Sequence, residues 1–202
     1  MKSKGMIIAL AVVGALLLVA VIAVMWGVGV YNKLVAMDEG VNSAWSQVQN
    51  QYQRRFDLIP NLVETVKGYA THEKETLENV VEARAKVGQM VISPEVLKNP
   101  QAFQMFEKAQ GELTSALSRL MVVTENYPNL KANENFLQLQ AQLEGTENRI
   151  AVERKHFNDV VQLYNTTIKT VPTSMIAGFG GFTIKAYFQA QVGAESAPKV
   201  KF

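Results

Sequence analysis

Residues 6–30 read MIIALAVVGALLLVAVIAVMWGVGV, a run of 25 residues without a charged side chain. A helix rises about 1.5 Å per residue, so this run can cross a hydrocarbon core about 30 Å thick. Trp26 and Tyr31 lie near its far end, where amphipathic rings favour the membrane interface. The sequence therefore predicts one transmembrane helix over residues 6–30, with Trp26 and Tyr31 at the interface and the lipid bilayer as a partner.

The charges that flank this run predict its orientation. Lys2 and Lys4 precede it, whereas Lys33 on the other side is followed by Asp38 and Glu39. Because positive charge is retained on the cytoplasmic side of a membrane helix, residues 1–5 are expected in the cytoplasm. We therefore expect a single-pass protein of the cytoplasmic (inner) membrane with its bulk domain outside the cytoplasm.

Two other readings of the N-terminus stay open. A cleaved signal peptide has an apolar region of about 7–15 residues, much shorter than this run, and Gly27-Val28-Gly29 is a poor cleavage site. A pilin-like start would need a glutamate where Leu10 stands. A lipoprotein is excluded because the sequence has no cysteine to acylate.

The remaining sequence is electrically balanced. Without Lys2 and Lys4 it holds 18 basic and 18 acidic residues. This balance argues against a nucleic-acid partner, because such binding requires a basic patch that neutralises phosphates. The absence of cysteine excludes disulfides, thiolate zinc sites and cysteine nucleophiles.

Apolar residues recur after Tyr31 at alternating spacings of three and four, the pattern of a left-handed helical seam. Pro60 interrupts the first of these helices and predicts a kink, because it cannot donate to the carbonyl of Phe56. Asn99 followed by Pro100 is a strong helix-start signal, and Thr71 is a candidate cap. The predicted helices span residues 31–70, 71–89, 100–126 and 133–171.

Short connections between these helices predict antiparallel neighbours. We therefore expect an all-α fold: the transmembrane helix, then an antiparallel up-down four-helix bundle with two long and two shorter helices over residues 31–172. The long pair is expected to outrun the short pair as a two-helix stalk. Residues 173–202 form a tail rich in glycine and aromatic residues, whose last residues, 194–202, are expected to be disordered.

Three strings of the sequence carry a family resemblance. Residues 31–84 include RRFDLIPNLVETVKGY, residues 146–165 read TENRIAVERKHFNDVVQLYN, and VPTSMIAGFGGF follows near the end. These strings closely resemble the LemA family of bacterial membrane proteins. The resemblance implies one N-terminal membrane helix and an antiparallel helical domain, and it implies no catalytic role. Some relatives are encoded beside membrane metallopeptidases, which implies an involvement in envelope maintenance.

The search for chemical motifs favours a protein that is not an enzyme. Glu153 and His156 match one Glu-x-x-His element of a di-iron bundle, but His72 has no glutamate at the matching position. No nucleophile elbow, Walker-type loop or oriented histidine is present in the sequence. We therefore predict no catalytic residue, no metal site, no cofactor and no identified small-molecule substrate.

Charged residues at seam positions are more informative. Arg55 stands where the heptad from Leu34 requires an apolar residue, and Glu147 and Arg154 stand on the seam of the last helix. Aligning the two long helices antiparallel places Arg55 opposite residue 148. We therefore predict a buried Arg55–Glu147 pair that fixes the register of the long helices; the alternative is that these side chains snorkel to the seam edge. Arg154 would lie opposite Gln49 and requires another partner.

Three functional hypotheses follow. The first is a non-enzymatic membrane protein whose helical domain self-assembles as a homo-oligomer, or scaffolds partners, at the bacterial cell envelope. The second is an adaptor that presents substrates to a membrane metallopeptidase or regulates it, and the third is an enzyme with an unrecognised site. Since two stalk helices cannot cover a whole apolar seam, neighbouring copies or the aromatic tail should help. The assembly candidates are Trp45, Phe157, Tyr164, Phe179, Phe182, Tyr187 and Phe188.

Overall fold

A computed structural model describes residues 2–90 and 93–189 of the 202-residue chain. The fold of these residues is all-helical, without a strand. The expected disorder of residues 194–202 lies outside them. The elements are α1 (Lys2–Lys67), α2 (Lys74–Gly88), a short 3₁₀ helix (Pro94–Lys98), α3 (Pro100–Thr124), α4 (Pro128–Lys131), α5 (Glu134–Lys169) and α6 (Thr173–Phe179).

Helix α1 continues without a break from the apolar run into the predicted first helix of the bundle. It is the one helix, among the described residues, that is long and apolar enough to cross a membrane. Although Gly27, Gly29 and Asn32 lie near Val30 and Tyr31, none of them ends the helix, and α1 continues through this point. The transmembrane candidate and the first seam therefore belong to a single element.

Other helix ends follow local capping chemistry. The side chain of Asn99 accepts hydrogen bonds from the amides of Gln101 and Ala102, both at 3.1 Å, which confirms the predicted start of α3. Asn133 likewise accepts from the amide of Phe136 at 2.9 Å, one residue before α5 begins. The predicted cap at Thr71 is wrong, because α2 begins only at Lys74 after a turn.

The chain forms two compact units. Of the described residues, one unit comprises those up to Val41 together with Gln162–Ile184, and the other comprises those from Asn42 to Val161 together with residues 185–189. In the first unit Leu34, Val41 and Tyr164 are buried. In the second, an apolar core draws side chains from α1, α2, α3, α4 and α5. They include Ile59, Leu62 and Val66 of α1, Leu77 and Val80 of α2, Leu113, Leu117 and Leu120 of α3, and Phe136 and Leu143 of α5.

Pro60 lies inside α1, four residues after Phe56. Because proline has no N–H, the carbonyl of Phe56 has no helical donor. Nε of Arg84, on α2, donates to this carbonyl at 3.2 Å, and the Arg84 guanidinium carbon lies 3.8 Å from the centre of the Phe56 ring. A contact between α1 and α2 therefore replaces the hydrogen bond that Pro60 removes.

Candidate functional site

Arg55 is the centre of a buried polar cluster in the second unit. The residue is only 1% exposed, and its Nη1 donates to Glu147 Oε1 and to Thr114 Oγ1, each at 2.8 Å. Its Nη2 donates to Oε1 of Gln110. The structure thus brings together α1, α3 and α5 around one guanidinium group, and the two residues named in the register argument, Arg55 and Glu147, form an ion pair.

The two partners of this pair differ in their access to water. The side chain of Arg55 is 2% exposed and that of Glu147 is 33% exposed. Within the described residues, Nε of Arg55 and Nε2 of Gln110 have no hydrogen-bond partner. A buried arginine depends strongly on its carboxylate, because removing the partner leaves a charge without compensation. The half-exposed carboxylate depends less on the arginine, since water can solvate it.

A second arginine–carboxylate pair lies beside the first. Nη2 of Arg154 is 3.4 Å from Oε1 of Glu107, so the partner of Arg154 is on α3 rather than on α1. Burial raises the pKa of the Glu107 carboxyl, while the amide of Gln189 and the charge of Arg154 oppose this shift. The amide of Gln189 donates to Glu107 Oε1 at 3.0 Å, and Arg154 contacts the carbonyl of Gln189 at 3.4 Å. This pair therefore binds backbone as well as balancing charge.

That backbone belongs to the extended segment Lys185–Gln189, which we call the strap. The amide side chain of Asn158 donates to the carbonyl of Phe188 and accepts from its N–H, both at 2.9 Å. The N–H of Ala186 donates to the carbonyl of Leu97 at 3.1 Å. Side chains and one carbonyl of the 3₁₀ helix thus bind the backbone of Ala186, Phe188 and Gln189 in the way that a neighbouring strand would.

The side chain of Phe188 completes an aromatic cluster. Its ring centre lies 4.9 Å from Phe103, 5.5 Å from Phe157 and 6.0 Å from Trp45. Trp45 also contacts Phe106 at 5.5 Å in an edge-to-face arrangement. Such arrangements are favourable for aromatic rings at these distances. The guanidinium of Arg154 lies 4.4 Å from the Phe188 ring centre and covers it from the polar side.

The expectation of a two-helix stalk is wrong around Trp45, because α3 and the tail also contribute side chains there. Phe103 and Phe106 of α3 reach Trp45, and the tail contributes Phe188, so Trp45 and Phe157 are buried inside the chain. They are therefore not available as assembly surfaces. Tyr164 is also buried, in the first unit, where burial first and the Asp38 carboxylate second raise the pKa of its phenol.

The other tail aromatics have different surroundings. The ring of Phe182 is half-buried and lies edge-on to Tyr31, with 5.6 Å between the ring centres. Tyr187 is partly exposed, and Phe179 is 92% exposed. Phe179 thus has almost no cover from the described part of this chain, and its assembly role as a tail aromatic stays a prediction. Trp26 and Tyr31 both have a large exposed surface at the end of the apolar run.

A cavity of about 360 Å³ opens beside the polar cluster, lined by Tyr52, Arg55, Glu107, Gln110, Glu147, Arg154 and neighbouring residues. Its lining includes ion-paired arginines and carboxylates together with amide side chains. Such groups can bind a polar molecule and orient it. In the part of the chain that the structure describes, no group of three or more metal-ligating side chains comes together. His72 and His156 are both exposed.

Sequence reasoning missed several members of this site. Gln110 breaks the apolar pattern of α3, so its seam position was a usable signal. Thr114 lies one turn further along the same face. Glu107 and Asn158 give no such signal, because each occupies an ordinary polar position on its helix.

A protein-family model described as the LemA family matches residues 44–202, most of the chain. This chain belongs to the LemA family. The matched range contains the Arg55 cluster, the Arg154–Glu107 pair and the strap, so the site lies within the family-defining part of the sequence.

Relatives with names extend the comparison. The magnetosome proteins MamQ 1 and MamQ 2 of Paramagnetospirillum magneticum are each 27% identical to this chain over 209 residues, covering 96% of the chain and 76% of their own length. Protein LemA of Metamycoplasma hominis is 26% identical over 166 residues, covering 81% of the chain and 70% of its own length. Because the MamQ alignments cover 96% of this chain, they also include residues before position 44, where the family-model match begins.

Proposed function

We propose that this LemA-family protein is a non-enzymatic, single-pass membrane protein whose helical domain assembles with copies of itself at the bacterial cell envelope. The proposal rests on the distribution of apolar side chains along α1. Its residues Met6–Val30 expose apolar side chains on all faces, whereas its later residues bury one apolar stripe. A helix that is apolar all round requires an apolar solvent, and a striped helix requires a protein core.

The finer architecture belongs to this proposal. We propose that α1, α2, α3 and α5 are arranged as an antiparallel up-down four-helix bundle over residues 31–172, with two long and two shorter helices. The support is that all four helices contribute to one apolar core and that short connections join them. We also propose that Lys2 and Lys4 stay in the cytoplasm, so that the bundle and the tail, residues 173–202, lie on the extracytoplasmic side of the inner membrane.

An apolar groove on α1 and α2 offers a surface for self-assembly. It has a volume of about 720 Å³ and is lined by Val63, Leu77, Val81 and Ala85. Val81 is 52% exposed, so it can fill the groove of a second copy while the second copy's Val81 fills this one. A two-fold axis makes such a contact self-complementary.

The charges around this groove support a second copy as its occupant. Its rim carries Lys67 and Lys74 together with Glu64, Glu78 and Glu82. A two-fold contact can therefore place lysines of one copy against glutamates of the other, and these charges would steer association.

The test compares two exposed valines in the full chain, purified in detergent. Val81→Glu places a charge in the groove, and Val122→Glu places the same charge on α3, where the valine is 71% exposed. Light scattering after size exclusion should give a uniform oligomer for the wild type and for Val122→Glu, and a monomer for Val81→Glu. A wild type that is monomeric, or a Val81→Glu oligomer, would exclude assembly through this groove.

The adaptor hypothesis makes a different prediction for the same variants. If the groove binds a membrane metallopeptidase, a photo-crosslinker at position 81 should link a monomeric chain to the purified peptidase. The crosslinker at position 122 should not. That result would replace self-assembly with the adaptor role.

A further inference from the structure

Residues 170–184 form a second stretch without a charged side chain, bracketed by Lys169 and Lys185. The stretch includes α6, and it belongs to the same compact unit as the apolar run of α1. Four of its apolar side chains have more than half of their surface exposed: Val171, Met175, Phe179 and Ile184. A soluble surface seldom carries so many exposed apolar side chains in one short segment without a partner.

The contacts of α6 place it beside the end of the apolar run. A Cβ atom at Gly27 would lie 3.6 Å from Cδ1 of Ile176, an ordinary contact distance, so Ile176 of α6 packs beside Gly27 of α1. At Gly180 a Cβ atom would lie 3.1 Å from the Tyr31 ring and 2.6 Å from the Phe182 ring. The close approach of Gly180 and the positive φ of 73° at Gly181 let the chain turn here. Helix α6 therefore lies alongside residues 27–31 of α1.

Residues 27–31 are the end of the stretch that the proposed function assigns to the bilayer. The exposed face of α6 is thus continuous with the lipid-facing surface of α1. Lys33, which follows the first apolar stretch, and Lys169, which precedes the second, are both exposed, whereas Lys185 at the far end of the second stretch is buried. This arrangement matches an element at the headgroup boundary, where apolar side chains enter the acyl region and lysines remain in water.

We propose that α6 and its flanking residues are a second membrane-contacting element, which inserts Val171, Met175, Phe179 and Ile184 into the bilayer interface beside α1. The proposal rests on the proposed anchoring by α1. A protein held in this way has a transmembrane helix and an interfacial wedge, so the bilayer limits its tilt and rotation. The occupant of this exposed face is lipid, and a second copy is the alternative that the test distinguishes.

Because the chain has no cysteine, single-cysteine labelling can test this directly. The full chain is reconstituted in phosphatidylcholine/phosphatidylglycerol nanodiscs with an environment-sensitive fluorophore at one position. The test positions are Phe179→Cys and Met175→Cys. The controls are Val19→Cys within the apolar run and Val122→Cys on α3, both at exposed valines. Lipids with a nitroxide near the headgroup or deep in the acyl chain act as quenchers.

We expect labels at 179 and 175 to shift to the blue and to lose emission most with the shallow nitroxide. The label at 19 should lose emission with the deep nitroxide, and the label at 122 with neither. If the label at 19 is quenched while the labels at 179 and 175 behave like the label at 122, the proposed insertion of α6 is wrong and the anchoring by α1 stands. If 19 is not quenched, the proposed anchoring itself fails. Labels at 179 that escape lipid quenching but transfer energy between labelled chains would assign the α6 face to a second copy and overturn the proposal.

Discussion

The two halves of α1 share one uninterrupted backbone and have opposite side-chain distributions. From Met6 to Val30 the apolar side chains are exposed on every face, while from Leu34 to Val66 a single stripe is buried at spacings of three and four. Helical geometry is the same in both halves, so the geometry does not determine what surrounds the helix. The distribution of apolar side chains around the axis determines it, because each half is stable only in the solvent that its own surface favours.

The largest expected effect comes from breaking the first half. Leu16→Arg together with Leu17→Arg places two charges near the centre of the apolar run. Each costs about 2.5–3.5 kcal/mol in membrane insertion, so the pair should oppose insertion by about 5–7 kcal/mol. We expect the protein to leave the membrane pellet after a carbonate wash. Met105→Arg with Val122→Arg, at exposed positions on α3, should stay in the pellet; equal behaviour of the two double variants would contradict the assignment.

The second half of α1 is tested by removing its buried charge or the partner of that charge. Glu147→Leu leaves the Arg55 guanidinium buried without a carboxylate and should cost about 3–5 kcal/mol of unfolding free energy. Arg55→Met leaves the partly exposed Glu147, which water can solvate, and removes the donor to Oε1 of Gln110, while Thr114 keeps its hydrogen bond to the Gln110 carbonyl. A loss of about 1–3 kcal/mol is therefore expected.

Urea unfolding in micelles measures both losses. The double variant should recover part of the larger loss, since no lone charge remains. Strictly additive losses, or a larger loss for Arg55→Met, would show that the pair does not determine stability in this way.

A smaller effect is expected at Pro60. Arg84→Met removes the donor to the Phe56 carbonyl and should cost about 1.5–3 kcal/mol, the range for hydrogen bonds that involve a charged group. In the Pro60→Ala background the alanine N–H can donate to Phe56 instead, so the same Arg84→Met change should cost less. Thermal unfolding measures both losses. Equal losses in the two backgrounds would show that Arg84 does not compensate for the hydrogen bond that Pro60 removes.

The smallest effect is a change in pH dependence at Tyr52, which lies in the buried half. Burial raises the pKa of its phenol above 10.0, with smaller opposing contributions from Arg154 and Arg55. Unfolded chains then ionise first as the pH rises past 10, so folding stability should fall between that pH and the higher pKa of the folded state. Tyr52→Phe should lose this part of the decline. Unfolding curves of the wild type and of Tyr52→Phe, recorded from pH 9 to pH 12, provide the measurement. An identical pH dependence of the unfolding free energy in the two proteins would exclude the contribution of Tyr52.

Local signals in the sequence predicted the elements better than the contacts between them. Asn99-Pro100 located the start of α3 because a cap and a proline act within one turn. The heptad count from Leu34 placed Arg55 on the seam, and the antiparallel alignment of the two long helices placed it opposite residue 148. Nη1 of Arg55 lies 2.8 Å from Glu147. That argument succeeded because two long helices of similar length have few possible registers.

The missed features all depend on contacts between distant segments. Arg154 pairs with Glu107 on α3, whose register against α5 no periodic pattern specifies. Phe188 follows a glycine-rich stretch without helical or strand periodicity, yet it is buried among rings from α1, α3 and α5. Only the assembled helices create the space that this ring fills.

The contact between Trp45 and Phe188 also has a consequence for the order of events during synthesis. The two rings are 143 positions apart, between residues 45 and 188, and Phe188 is among the last residues that the structure describes. At about 5–20 residues per second, the ribosome adds Phe188 roughly 7–30 s after Trp45. Once Phe157 has been added, 31 residues before Phe188, the rings of Trp45, Phe103 and Phe157 lack this partner for about 1.5–6 s, and exposed aromatic surface of this kind promotes aggregation. The nascent chain is therefore most vulnerable late in translation, and the strap acts as the closing step of its maturation.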